Sequence, residues 1–158
     1  MADPRFYTAY KAVFNAIKTA LTYVPAEGEN PARGVEQLKT VVVGEQFTLS
    51  PLPKATINPV PGPMLSRSVN GPVEVLVRGS ITVIIREYLP KDWFADVILP
   101  MGAIVDALLL DRTLGGAAIE SVPLGFAPGE LKFKDAAGKD RLLYGGDIAF
   151  EAKIWYQP

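Results

Sequence analysis

The chain contains no cysteine and no histidine. Without cysteine there are no disulfides, thiolate nucleophiles, zinc–thiolate sites or iron–sulfur clusters. Without histidine the commonest general base and the commonest transition-metal ligand are missing. Ser-His-Asp and Cys-His mechanisms are therefore excluded within the chain. Catalysis would have to rest on Asp, Glu, Lys, Tyr or a Ser–Lys pair. A basic excess is missing as well: 16 Lys and Arg stand against 17 Asp and Glu, a formal net charge of −1. Bulk charge does not draw such a chain to nucleic acid. The longest apolar stretch, 97–110, is interrupted by Pro100, Gly102 and Asp106 and is too short to span a membrane. The first residues, Met1 to Arg5, lack a basic region followed by an apolar run. The expectation is a soluble chain in the cytoplasm, with no membrane partner; a reducing compartment and an exported particle suit the missing cysteine equally.

What remains is rich in core-forming matter. In 158 residues, 49% are hydrophobic and 21% charged, as in one globular domain spanning 1–158. Residues 5–24 read as a helix, because Phe6, Tyr10, Val13, Phe14, Ile17, Leu21 and Val24 recur at spacings of three and four. Asp3 is placed to cap it and Pro4 to occupy its first position. Residues 26–72 differ in character. Seven of the 14 prolines fall there, which predicts a Pro-rich arm or extended loop region holding two short strand candidates, 38–43 and 54–57. Residues 73–88 alternate as a long strand, with Gly79 a candidate bulge or bend. Unbent, it would overhang a globule of this size and want a partner. A second helix is expected over 99–112, opened by Pro100 and stopped by Gly115 and Gly116, with Arg112 in its last turn. Strand candidates 118–122 and 130–134, a turn at 137–139 and a final alternating strand 142–156 follow, with Gly145-Gly146 a candidate bulge. The fold class is α+β: a mostly antiparallel (mixed) sheet with the N-terminal helix and the second helix on one face, plus the extended arm.

The residues offer little chemistry. Neither Gly-Gly pair sits in a phosphate-binding pattern. Glu87, Asp92 and Asp96 are paired carboxylates that would suit a hard cation or acid–base work, against the simpler reading of a solvated helix start. Ser66-Arg67-Ser68 is either a phosphate-contact patch or a polar loop. Arg78 and Arg86, eight apart, are expected on one strand face, turned to a nucleic-acid channel, to carboxylates of an adjacent chain, or to solvent. Trp93, Phe94, Trp155 and Tyr156 are apolar residues for core or subunit interface.

The second half carries a resemblance. The strand Ile81-Thr82-Val83-Ile84-Ile85 leads through a charged turn to a helix ending in Leu108-Leu109-Leu110-Asp111-Arg112-Thr113-Leu114-Gly115-Gly116. After a hairpin the chain closes on Ile148-Ala149-Phe150-Glu151-Ala152-Lys153-Ile154-Trp155-Tyr156. With the amphipathic first helix, this pattern resembles the tail terminator (tail completion) proteins of long-tailed phages and gene-transfer-agent relatives. The resemblance covers residues 73–158 and the first helix; the Pro-rich arm departs from it. It implies a structural virion protein, not an enzyme, without cofactor or metal. Such a protein assembles in the host cytoplasm and resides in the virion neck. It forms a homohexameric ring that caps the tail tube, stops its polymerisation and offers the head-joining surface to the connector or stopper. Genomic DNA passes its lumen without sequence-specific binding. Arg78, Arg86, Asp111, Arg112 and Trp155 are the candidate subunit-interface or lumen residues. The alternatives are a neck or stopper protein of the same particle, a carboxylate enzyme or metal module built on Glu87, Asp92 and Asp96, and a non-viral protein-binding module using the arm.

Overall fold

A computed structural model describes residues 2–33, 35, 38–44, 51–61, 71–135 and 137–157. Helix α1 runs Arg5–Thr22. No side chain caps it, and Pro4 holds the N-cap position expected of Asp3, which lies one residue too early. Packing holds it instead. Val13, Phe14, Ile17 and Leu21 are buried, each contributing roughly 1.5–3 kcal/mol. Val24, expected on the same stripe, lies beyond the helix and is 84% exposed.

The strands are β1 (Thr40–Val43), β2 (Lys54–Pro59), β3 (Val73–Arg86), β4 (Glu120–Lys134) and β5 (Asp140–Tyr156). They form one mixed sheet in the order β1-β2-β3-β5-β4. β1 and β2 are parallel; all other neighbours are antiparallel. The Pro-rich segment thus supplies two strands to this chain's own sheet, and Ala55 and Ile57 are fully buried. The apolar arm residues Phe47, Leu49, Met64 and Leu65 and the Ser66-Arg67-Ser68 patch lie outside the described residues.

β3 does not overhang, because β5 pairs with it from Val73↔Tyr156 to Arg86↔Tyr144. Pairing also runs unbroken through Gly79, contrary to the expected bend. A Cβ on Gly79 would strike the Phe150 ring and stand 2.8 Å from Phe14, so the missing side chain lets α1 and β5 close over β3. The irregularity sits at Ile85, between the pairs Ile84↔Gly145 and Arg86↔Tyr144. It is on β3 and not at Gly145-Gly146, whose added Cβ atoms would collide with the carbonyls of Val83 and Ala127.

The second helix starts earlier than expected. Backbone is helical from Trp93, passes a π turn over Phe94–Ile98 and continues as α2, Leu99–Leu110. The N–H groups of Phe94 and Ala95 donate to the Asp92 carboxylate at 3.0 and 3.4 Å, a helix N-cap. Pro100 therefore sits inside helical backbone, where the wider preceding turn accommodates its missing N–H. The two strand candidates 118–122 and 130–134 are one strand. Pro123 and Pro128 do not break β4, because it is an edge strand paired only with β5.

Both helices cover one face, α1 lying against β1 and β2, α2 against β4 and β5. The core between them includes Val75, Val77, Ile81 and Val83 of β3 and Ile148, Phe150, Ala152 and Ile154 of β5. Among the described residues no helix is long and apolar enough to cross a membrane. Gly145→Ala is expected to cost roughly 1–3 kcal/mol, since backbone must move. Gly102→Ala, in α2 with nothing within 4 Å of the new Cβ, should stabilise by about 0.5–1 kcal/mol. Urea unfolding midpoints that shift the same way for both would contradict this packing.

Candidate interaction surfaces

The sheet face away from the helices carries charge that cancels itself. Arg78 Nε donates to Glu151 at 2.8 Å across β3 and β5. Lys153 pairs with Glu74 at 3.3 Å, and Thr82 donates to Asp147 at 2.7 Å. Trp155 stands beside this ladder, opposite Glu74 and 55% exposed. The pairs are partly exposed, so each is worth under about 1 kcal/mol. Their effect is to neutralise the face, which is no basic strip for phosphate.

Arg86 is not on that face. The extra residue Ile85 reverses the alternation, so Arg86 pairs with Tyr144, a core residue, and turns toward the helices. Its guanidinium meets Asp96 at 2.6 Å and stacks 3.9 Å from the centre of the Tyr88 ring. The same Asp96 carboxylate accepts the N–H groups of Lys91 and Asp92 at 3.2 and 3.3 Å. Glu87 pairs with Arg141 at 3.5 Å. The three carboxylates thus serve a helix cap, a turn and ion pairs. Among the described residues no cluster of three acidic side chains is arranged to hold a metal.

Asp111 organises the exit from α2. One carboxylate oxygen accepts the Thr113 hydroxyl at 3.1 Å and the other the Gly115 N–H at 2.9 Å. Leu114, Gly115 and Gly116 all take positive φ (50°, 65° and 95°). For Leu114 that conformation is strained, and its buried side chain anchors the turn. Asp-x-Thr-Leu-Gly-Gly is therefore a turn built by a carboxylate, a hydroxyl, an apolar anchor and two permissive glycines. Arg112 lies beyond the helix end, not in its last turn, and reaches Glu120 at 3.6 Å on the surface. The five candidate residues do not converge: Arg78 and Trp155 share the sheet face, Arg86 sits at the start of the second helix, Asp111 and Arg112 at its end.

Among the described residues, surface clefts lie beside both helices. One, about 460 Å³, lies between α1 and the end of α2, floored by Ala16, Ala20, Ala107 and Ala117. Tyr23 and Arg33 stand on its rim. The Tyr23 hydroxyl donates to Glu29 at 2.6 Å, and Arg33 pairs with the same carboxylate at 3.1 Å. That hydrogen bond holds Glu29 below the usual carboxylate range and raises the Tyr23 phenol above 10.0. The other cleft, about 430 Å³, lies between α2 and β4, lined by Gly102, Val105, Asp106, Pro123, Leu124, Gly125 and Phe126. Leu124 is the extra residue at the β4 irregularity, between Pro123 and Gly125. Separate strand candidates at 118–122 and 130–134 leave residues 123–129 unassigned, so the sequence alone does not reveal this groove. A signal was present in α2, whose sole charged residue is Asp106. A helix apolar nearly all round expects cover on more than one side.

No protein-family model matches the chain, and no curated protein matches it in sequence.

Asp111→Ala removes both turn bonds and is expected to cost about 1–2 kcal/mol, measured by denaturant unfolding. Glu29's lowered pKa contributes stability that is complete above the ordinary carboxylate range and fades as pH falls through the lowered value. Tyr23's raised pKa contributes below its ordinary value, and that contribution fades as pH rises through the raised one. Tyr23→Phe should therefore move the Glu29 titration, followed by carboxyl NMR shifts, back up toward the usual range. An unmoved titration would mean that the hydrogen bond does not set it.

Proposed function

We propose that this chain is a structural assembly subunit, a tail terminator that forms a ring on the end of a phage-type tail tube. The observation that carries the reading is the apolar surface left uncovered on α2 and β4. Leu99, Leu109 and Leu110 of the helix are 58%, 40% and 46% exposed. Leu124 and Phe126 of the adjoining strand are 56% and 43% exposed. Exposed apolar side chains grouped on neighbouring elements mark interaction sites. The α+β fold, with its N-terminal helix and a second helix ending in the Asp111–Gly116 turn, supports the resemblance on which the family assignment rests. The self-paired charges around Arg78 suit a channel that lets DNA slide without holding it. In this reading the partners are further copies of the chain, the tube protein and the head connector or stopper, and the place of action is the virion neck. The proposal includes no reaction and no cofactor.

Light scattering over a range of concentrations, alone and with tail tubes of the cognate tube protein, tests the reading. A mass near six subunits, or binding confined to one tube end, is the expected result. A monomer that ignores tube ends overturns it. A ring that binds the connector and not the tube would reassign the chain to the neck or stopper.

A further inference from the structure

We propose that the α2–β4 side of one copy docks on the outer flank of α1 in a second copy. This rests on the assembly reading above and names the surfaces that assembly uses. Sheet order puts the two surfaces at opposite sides of the molecule. α1 covers the β1–β2 side and α2 the β4 side. On α1, Ala16 and Ala20 face the cleft toward α2. Tyr7, Lys11 and Lys18 follow the helical repeat along the other flank, turned away from α2 and exposed to solvent.

The two helices are opposite in charge. α1 carries Arg5, Lys11 and Lys18 and no acidic residue. Lys11 reaches only Tyr7 of its own helix, at 3.2 Å, and Lys18 has no ionic partner among the described residues. α2 carries Asp106 and no basic residue. β4 begins with Glu120, which pairs with Arg112 at 3.6 Å, and reaches Glu130 before its first lysine, Lys132. Asp106 is exposed on the wall of the α2–β4 groove and has no ionic partner among the described residues. A lysine ammonium from the neighbouring α1 would meet it there. The lysine stems and the Tyr7 ring would cover Leu109, Leu124 and Phe126.

The edge of β4 directs contact to this groove and away from strand addition. Pro123 and Pro128 lack N–H groups, so a further strand would find donors missing at both positions. Docking is therefore between side chains. Each copy offers both surfaces and they differ, so the contact is head-to-tail and propagates from copy to copy, closing into a ring when the rotation permits.

The test compares the wild-type chain, Asp106→Lys, and a charge-swapped chain carrying Asp106→Lys with Lys11→Asp and Lys18→Asp. Mass is read by light scattering, or by occupancy of tube ends if the wild type assembles only there. Denaturation midpoints confirm that each variant is folded. Asp106→Lys should weaken association on the order of tenfold or more, and the charge swap should restore it. If the wild type assembles and folded Asp106→Lys assembles equally, or the swap fails to rescue, the proposed surfaces are wrong while the ring reading stands. A wild type that never self-associates overturns both.

Discussion

β3 and β5 run antiparallel along the whole of β3, and both helices take their places from that ladder. Its helix-side residues are the floor of the core, and Gly79 makes the closest approach possible there. With no Cβ at that position, the Phe150 ring lies over β3 and meets Phe14 of α1 at 5.7 Å between ring centres. Gly145 and Gly146 do the same toward β3 and β4, where added side chains would collide with backbone carbonyls. Three strands and a helix are thus held together by contacts that only glycine permits.

The same ladder distributes charge. On its open face, opposite charges sit across from one another or one step along, and the face is nearly neutral in effect. One extra residue, Ile85, takes Arg86 out of that series and delivers it to Asp96, tying the end of β3 to the start of the second helix. The side walls of the molecule are different. The charges of α1 are all basic and the one charge of α2 is Asp106; Lys18 and Asp106 have no ionic partner among the described residues.

Much of this architecture is legible in the residues. The spacing of Val13, Phe14, Ile17 and Leu21 identifies α1 and its buried stripe, and alternation identifies β3 and β5. Even the short strands of the Pro-rich segment are visible as β-branched runs near 40 and 54. Breaks were harder to locate. Proline and glycine interrupt a pattern whether they end an element, sit on an unpaired edge or admit a neighbour. Gly79 suggests a bulge or bend and the candidates 118–122 and 130–134 suggest two strands, yet pairing runs through Gly79 and one strand spans Glu120–Lys134.

Composition alone excluded histidine and cysteine chemistry, and periodicity alone determined the α+β class and the buried side of α1, of β5 and of most of β3, because these depend on local geometry. Which residues meet was decided by the tertiary structure. The insertion of β5 between β3 and β4, the reversal at Ile85 and the groove between α2 and β4 arise from pairings between segments tens of residues apart, and no local spacing encodes them.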